Sequence, residues 1–247
     1  MRGFGIDIGG SGIKGAPVDL TTGRLLEERV RIPTPSPATP EAVAGVVQEV
    51  LDSFTWHGAF GCTFPAVVTH GTTRTAANVD PSWVDCPAEQ LLSRATGRPA
   101  HVVNDADAAG YAELAFGAAK DVDGVVLVTT LGTGIGSALV VDGQLVPNTE
   151  LGHLEVDGHE AELKASDAAR DREDLSWEKW AKRLQRYYSH LEALFWPDLI
   201  VVGGGVSKKA HKFLPLLELR TPIVAAELRN EAGIVGAALL AHQATGA

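Results

Sequence analysis

The fold is decided by Phe4-Gly5-Ile6-Asp7-Ile8-Gly9-Gly10-Ser11-Gly12-Ile13-Lys14-Gly15, a stretch near the start of the chain. Apolar residues alternate with small or acidic ones, glycines and a serine follow, and a second apolar run begins, which predicts a strand, a tight turn and a strand. Glycine admits positive φ, so the amides of such a turn can converge on phosphate oxygens, with Ser11 and Lys14 as side-chain donors. Asp7 precedes the turn and is a candidate Mg²⁺ ligand through water. A glycine-rich hairpin that binds nothing fits the same stretch equally well.

The composition indicates an ordered α/β protein. The chain has 247 residues, 45% of them hydrophobic, with 27 glycines and 13 prolines, which suits one large domain or two small ones. We expect a cytoplasmic protein, because no apolar run reaches a membrane span of roughly 18 residues and the first strand leaves no room for a secretory leader. Cys62 and Cys86 form neither a disulfide framework nor a zinc cluster by spacing. A net charge of −10 argues against nucleic acid and anionic membranes as partners.

Hydrophobic periodicity and turn signals divide the rest of the chain into alternating strands and helices. We expect strands at 25–32, 58–64, 101–103, 124–131, 135–141, 199–202 and 223–225, a hairpin at 67–75, and helices at 40–54, 88–95, from 106 onward, over most of 160–194, and at 232–242. In this pattern Asp105 falls at the corner between a strand and a helix. Such a position suits a side chain that faces a ligand, with a helix cap as the alternative.

The chain repeats its opening hairpin. A second apolar run leads into Gly132-Thr133-Gly134-Ile135-Gly136 and a returning strand, and a third glycine turn, Gly203-Gly204-Gly205, ends another apolar strand. Two copies of a candidate phosphate hairpin are more specific than one. Because ligands of open α/β sheets lie beyond the carboxyl ends of the strands, one nucleotide could contact all three turns. We therefore predict phosphate contacts at the second turn and a nucleotide's base or ribose at the third.

Four motifs, taken in order, resemble those of a known family. They are Gly5 to Gly15, Asn104-Asp105-Ala106-Asp107-Ala108-Ala109-Gly110, Gly132 to Ser137, and Pro147-Asn148-Thr149-Glu150-Leu151-Gly152-His153. Together they are similar to the ROK sugar kinases of the actin and hexokinase superfamily, and most similar to the polyphosphate/ATP glucokinases and glucomannokinases among them. The resemblance covers essentially the whole chain. It implies an actin/hexokinase-like (ribonuclease H-like) α/β fold with two domains around a cleft. We expect an N-terminal domain at 1–104, a C-terminal domain at 105–247, and a final helix at 232–243 that packs back toward the first domain.

The resemblance also implies roles for individual side chains. Asp105 would be the catalytic base, since a carboxylate can accept the proton of a sugar hydroxyl as the phosphoryl group arrives. The implied sugar-binding residues are Asn104, Glu150, His153 and Glu162, although Glu155 and Glu160 compete with Glu162 for the last place. The implied phosphate-binding residues are Gly9, Gly10, Ser11, Gly12, Lys14, Gly132, Thr133 and Gly134, and the implied nucleotide-binding residues are Gly203, Gly204 and Gly205.

The function implied by the resemblance is phosphorylation of glucose at its C6 hydroxyl, with polyphosphate or ATP as donor, Mg²⁺ as cofactor and a homodimer as the assembly. Mannose as a second substrate, an ATP-only ROK hexokinase and a non-catalytic sugar-responsive ROK protein remain alternatives. Many ROK proteins follow the Glu-x-Gly-His motif with a zinc-binding cysteine cluster, but no cysteine follows Cys86 here, so we expect no structural zinc. Lys208, Lys209 and Lys212 could line a polyphosphate groove or belong to a solvated face, and their spacing does not decide between the two.

Overall fold

The computed structural model describes residues 1–76 and 79–246. The strands are β1 (Arg2–Gly9), β2 (Gly12–Asp19), β3 (Arg24–Leu25), β4 (Val30–Ile32), β5 (Phe60–Phe64), β6 (Val68–Thr69), β7 (Thr72–Thr73), β8 (Ala100–Asn104), β9 (Val125–Leu131), β10 (Ile135–Val141), β11 (Gln144–Val146), β12 (Glu155–Val156), β13 (His159–Glu160), β14 (Leu199–Gly203) and β15 (Ile223–Ala225). The helices are α1 (Pro40–Ser53), α2 (Ala88–Thr96), α3 (Asp105–Phe116), α4 (Ala161–Ala165), α5 (Asp167–Arg172), α6 (Trp177–Phe195) and α7 (Ala232–Thr245). In the part of the chain so described, no helix combines the length and the apolar character that a membrane crossing requires.

The chain forms two compact units. The first consists of Met1–Ala108 and Glu231–Ala247, and the second of Ala109–Asn230. The chain passes from the first unit to the second inside α3 and returns just before α7. The first unit is therefore built from two separate stretches of sequence.

The sheet of the first unit has the order β3-β2-β1-β5-β8, with β4 also paired to β2. Strands β1 and β2 are antiparallel, whereas β1, β5 and β8 run parallel to one another. The carboxyl ends of parallel strands meet at one edge of a sheet. The first glycine turn, which follows β1, and Asp105, which follows β8, therefore lie at the same edge.

Helix α7 approaches the sheet of the first unit at van der Waals distance because glycines face it. A Cβ on Gly5 of β1 would lie 1.8 Å from the carbonyl oxygen of Ile234, and a Cβ on Gly61 of β5 would lie 1.9 Å from that of Ala237. Neither distance is compatible with a side chain. The helix is apolar on its packed positions, which include Ile234, Val235, Ala237, Ala238 and Ala241.

The sheet of the second unit has the order β11-β10-β9-β14-β15. Strands β9 and β10 form the second glycine hairpin, and β9, β14 and β15 are parallel. The second and third glycine turns, which follow β9 and β14, consequently lie at one edge of this sheet. Helix α6 covers it with a buried row made of Trp180, Ala181, Leu184, Tyr187, Tyr188 and Leu191.

Two predicted elements are subdivided in the structure. The strand expected at 25–32 is two short strands, β3 and β4, which pair with different parts of β2; the charged run Glu27-Glu28-Arg29 separates them. The helical region at 160–194 is three helices, since Ser166 caps α5 and Ser176 caps α6. Each serine hydroxyl accepts a hydrogen bond from a backbone N–H of the following first turn, which starts a new helix there.

Candidate active site

The first glycine hairpin closes over a two-residue turn, Gly10 and Ser11, between the paired residues Gly9 and Gly12. A Cβ on Gly10 would meet no atom within 4 Å, so open space lies over the turn. Two residues that the sequence did not single out hold the turn. The Arg31 guanidinium donates from Nη2 to the Ser11 carbonyl oxygen at 2.7 Å, and the Thr34 hydroxyl donates to the Gly9 carbonyl oxygen at 2.5 Å.

Asp7 is held by two partners. Its Oδ1 accepts a hydrogen bond from the Thr63 hydroxyl at 2.9 Å, and its Oδ2 lies 3.3 Å from Lys14 Nζ in an ion pair. A carboxylate offers about four lone-pair sites, so both oxygens retain acceptor capacity. Mg²⁺ is commonly held by one or two carboxylates together with waters and substrate phosphates. The chemistry of Asp7 therefore fits a magnesium ligand, acting directly or through water.

Lys14 and Arg31 are neighbours across the sheet, since Lys14 on β2 pairs in register with Arg31 on β4. Lys14 is compensated by the carboxylate of Asp7. Arg31 is exposed, and among the residues that the structure describes it forms no ion pair with a carboxylate. Arg31 thus carries the uncompensated positive charge at the first hairpin, whereas the sequence had pointed to Lys14.

Asp105 is the first residue of α3, and the residue before it caps that helix. The Asn104 side-chain oxygen accepts hydrogen bonds from the N–H groups of Ala106 at 2.9 Å and Asp107 at 3.1 Å, while its Nδ2 donates to the Ala66 carbonyl oxygen at 3.1 Å. The capping role weighed for Asp105 is therefore shared: buried Asn104 accepts from two N–H groups of the first turn, and Asp105 Oδ1 also accepts from the Ala106 N–H at 2.8 Å. An amide group has two N–H donors, and within residues 1–76 and 79–246 the Asn104 Nδ2 uses one of them, on the Ala66 carbonyl oxygen. Asp105 is partly exposed at the sheet edge that carries the first hairpin.

The second hairpin is bonded to the segment that follows the sugar motif. The N–H of Gly132 donates to the Gly134 carbonyl oxygen at 3.0 Å, and the N–H of Ile135 donates to Glu162 Oε2 at 3.1 Å. A Cβ on Gly134 would lie 2.3 Å from the same Glu162 oxygen. The absence of a side chain at position 134 therefore leaves room for the Glu162 carboxylate against the hairpin. Thr133 occupies the exposed tip of this turn.

The Glu-x-Gly-His motif packs on the same hairpin. The N–H of Leu151 donates to the Ser137 hydroxyl oxygen at 2.9 Å. A Cβ on Gly152 would lie 2.1 Å from the Ile135 carbonyl oxygen. The glycine of the motif therefore lets this short segment lie directly on the start of β10. Glu150 and His153 flank it with their side chains partly exposed.

His153 is surrounded by three carboxylates. Its Nδ1 lies 3.2 Å from Glu160 Oε2 and 4.0 Å from Glu162 Oε1, and its Nε2 lies 3.9 Å from Glu150 Oε2. The hydrogen bond to Glu160 is the main cause that raises the pKa of His153, with the neighbouring carboxylates acting in the same direction against partial burial. The pKa of Glu150 is also raised, chiefly by desolvation. Such a cluster offers both donors and acceptors to the hydroxyl groups of a sugar.

Glu162 and Glu160 differ in what they bind. Glu162 is shared between the backbone of the second hairpin and the vicinity of His153, whereas Glu160 is exposed and bonds to the imidazole. Glu155, the third competitor, is exposed and begins β12. We therefore keep Glu162 as the candidate sugar ligand, with Glu160 as the residue that orients His153.

The third glycine turn lies beside the second hairpin. Gly204 adopts a positive φ of 81°, and a Cβ there would lie 2.3 Å from the Leu131 carbonyl oxygen. The turn leads into a 3-10 segment, Gly205–Lys212, in which the Ser207 hydroxyl donates to the Gly204 carbonyl oxygen at 2.8 Å. A Cβ on Gly205 would meet no atom within 4 Å, so open space lies over this residue of the turn.

The predicted site residues thus form two groups. The first unit carries Asp7, the first hairpin, Asn104 and Asp105, and the second unit carries the other two glycine turns and the Glu150, His153 and Glu162 cluster. Cys62 and Cys86 are both buried in the first unit. The segment around His153 therefore has no cysteine in its own unit.

Comparison with known proteins gives consistent matches. The sequence model of the ROK family matches residues 3–168. The polyphosphate glucokinase of Mycobacterium tuberculosis (strain CDC 1551 / Oshkosh) is 53% identical over 239 residues, which is 96% of this chain and 90% of the relative.

Two solved structures extend these matches to the fold. The inorganic polyphosphate/ATP-glucomannokinase of Arthrobacter sp. strain KM has a TM-score of 0.94 and 56% identity, covering 98% of this chain and 99% of the other. A ROK family glucokinase from Streptomyces griseus, solved with glucose and AMPPNP, has a TM-score of 0.84 and 26% identity, covering 98% of this chain and 100% of the other.

Proposed function

The chain belongs to the ROK family, and on that premise we propose that it transfers a phosphoryl group from polyphosphate or ATP to the C6 hydroxyl of glucose. The resemblance drawn from the four motifs is confirmed, and so is the actin/hexokinase-like α/β fold class. Support for the donor and the sugar comes from the relatives named as polyphosphate glucokinase and glucomannokinase and from the relative solved with glucose and AMPPNP.

One structural observation carries the proposal. In the second unit, Glu162 accepts a hydrogen bond from the amide of Ile135 in the glycine hairpin and also lies 4.0 Å from His153. A candidate anion-binding turn and a cluster suited to hydroxyl groups are therefore adjacent, and one carboxylate connects them. Transfer of a phosphoryl group to a sugar needs these two kinds of site side by side.

Asp105 would accept the proton of the attacking hydroxyl. A hydroxyl group is a weak nucleophile, and a positioned carboxylate assists it as the bond to phosphorus forms. Asn104 fixes the start of α3 through its cap hydrogen bonds, so Asp105 stands on a rigid element. Glu150, His153 and Glu162 would bind the other hydroxyl groups of the sugar.

The glycine turns would bind the donor. The amides around Gly9, Gly10, Ser11 and Gly12 and around Gly132, Thr133 and Gly134 suit phosphate oxygens, and the turn at 203–205 suits the nucleoside of ATP. Asp7 would hold Mg²⁺, which when bound neutralises charge on the transferring phosphate. We also propose a cytoplasmic homodimer, with mannose as the alternative sugar that the assay below tests beside glucose.

The test of the catalytic assignment is Asp105→Asn. We expect glucose 6-phosphate formation to fall by about 10³-fold or more, because the general base is lost, while glucose binding measured by calorimetry changes little. Asp123→Asn is the matched control, since Asp123 precedes β9 and belongs to neither group of site residues. Activity of Asp105→Asn within tenfold of the unmodified protein would refute Asp105 as the base.

The test of substrate and donor is a coupled assay of the purified protein. Glucose and mannose are each supplied with ATP and with long-chain polyphosphate, and sugar 6-phosphate is measured. We expect turnover of glucose with both donors. Turnover with ATP alone would reassign the protein as an ATP-dependent ROK hexokinase, and sugar binding without turnover would indicate a non-catalytic sugar-responsive protein.

A further inference from the structure

Three cationic side chains surround one aromatic ring in the second unit. Measured to the centre of the Trp177 ring, Arg170 Cζ lies at 4.3 Å, Lys212 Nζ at 5.5 Å and Lys209 Nζ at 5.8 Å. Each distance is within the range of about 6 Å at which the negative face of an aromatic ring attracts a cation. We call these four residues the Trp177 cationic cluster. The ring lowers the cost of placing like charges close together.

The cluster has positive charge that no carboxylate of the described residues neutralises. Arg170 is paired with Asp167, at 3.1 Å from Nε to Oδ1, and with Asp171. Lys209 and Lys212 are exposed, and within residues 1–76 and 79–246 neither forms an ion pair. Two positive charges therefore remain available to an anion from solvent.

Two segments connect the cluster to the second glycine hairpin. Helix α5, which carries Arg170, is tied to the hairpin by a hydrogen bond from the Ala168 N–H to the Gly132 carbonyl oxygen at 3.0 Å. The segment that carries both lysines begins right after Gly204, which packs against the backbone of Leu131 at the end of β9. Both supports of the cluster thus start at the edge of the sheet where donor phosphates are proposed to bind.

We propose that the Trp177 cationic cluster binds the distal phosphates of a polyphosphate chain whose terminal phosphates lie on the second hairpin. This inference rests on the proposed function, because it assigns the extended part of the polyphosphate site. A polyphosphate chain carries negative charge along its whole length. Cations that contact phosphates beyond its reacting end therefore strengthen its binding. ATP carries three phosphates and then an uncharged ribose, so it has no phosphate to offer to the cluster.

The test is the double substitution Lys209→Gln with Lys212→Gln. We expect the KM for long-chain polyphosphate to rise about fivefold or more, because each lost contact between a lysine and a phosphate removes electrostatic binding. The KM for ATP, the KM for glucose and the KM for tripolyphosphate should stay within about twofold, since these ligands do not reach the cluster.

The matched control is Lys179→Gln with Lys182→Gln. These lysines are exposed on α6, and the substitution changes the net charge by the same amount without altering a member of the cluster. An equal rise of the polyphosphate KM in both double variants would refute the proposed role of the cluster, because it would be explained by the change in net charge alone. An unchanged polyphosphate KM in the Lys209 and Lys212 variant would also refute it. If the unmodified protein makes no glucose 6-phosphate from polyphosphate, the proposed donor itself fails, which is a separate result.

Discussion

At the first glycine turn, the pairing of two neighbouring cations decides which of them is free to contact a donor phosphate. The ammonium group of Lys14 forms an ion pair with the Asp7 carboxylate. Arg31 uses one N–H of its guanidinium on the Ser11 carbonyl oxygen, and a guanidinium has five N–H donors in a planar fork. Arg31 can therefore fix the turn and contact a phosphate at the same time.

We predict that Arg31→Gln raises the KM for ATP and for polyphosphate about tenfold and leaves the KM for glucose unchanged, since a charged hydrogen bond contributes about 1.5–3 kcal/mol. Arg31→Lys should recover only part of the loss, because lysine has no planar fork. Steady-state kinetics with each substrate varied would measure this. Arg94→Gln, at an exposed arginine of α2, is the control, and an equal change in both variants would contradict the assignment.

The exposed carboxylate of Glu160 has the largest influence on the pKa of His153. Glu160 is the main cause of the raised pKa of His153, so we predict that Glu160→Gln lowers that pKa toward its ordinary value. The imidazolium contributes stability below the unfolded pKa of His153, and this contribution is lost as pH rises through the raised folded pKa. An NMR titration of the His153 ring protons would follow the shift. Glu155→Gln is the control, and a His153 pKa unaltered by Glu160→Gln would exclude Glu160 as its cause.

At the scale of elements, the contact between α7 and the sheet depends on glycines that leave no room for a side chain. A Cβ on Gly61 of β5 would lie 1.9 Å from the backbone carbonyl oxygen of Ala237. Backbone atoms cannot move aside as the end of a flexible side chain can. The helix that returns the chain to its first unit is therefore held by close backbone packing.

We predict that Gly61→Ala lowers the free energy of unfolding by about 2 kcal/mol or more, because overpacking against backbone forces the helix away from the sheet. Gly45→Ala is the matched control. Gly45 lies inside α1 and a Cβ there meets nothing within 4 Å, so the same change should be neutral or stabilising by up to about 1 kcal/mol. Urea unfolding measures the free energy of unfolding of both variants. Equal values would show that α7 can move away from the sheet without a loss of stability.

Elements that are signalled by adjacent residues were predictable from the sequence. Contacts between residues that lie far apart in the sequence were not. The glycine hairpins and the start of α3 at Asp105 follow from strand periodicity, glycine and helix formers in adjacent residues. Arg31 reaches the first turn only because β4 pairs with β2 in one register. No feature of residues 25–32 indicates that register. Glu162 could not be separated from Glu160 for the same reason, since its contact with Ile135 spans 27 residues.

At the scale of the whole molecule, a net charge of −10 opposes the approach of a polyanionic donor. Salt screens exposed charges over a Debye length of about 10 Å at 0.1 M. If the overall charge governed binding, added salt would weaken the repulsion and lower the KM for polyphosphate. If local cations govern it, added salt would weaken the attraction and raise that KM.

We predict that the KM for long-chain polyphosphate rises several-fold, on the order of fivefold, between about 50 and 200 mM NaCl, because the proposed site binds the chain through the exposed cations Lys209 and Lys212, whose attraction salt screens. The KM for ATP should rise less, since ATP presents fewer charges. In the Lys209→Gln and Lys212→Gln variant the slope of log KM against log salt for polyphosphate should become shallower and approach the slope for ATP. A polyphosphate KM that falls with salt would mean that the net charge of the molecule outweighs every local cation.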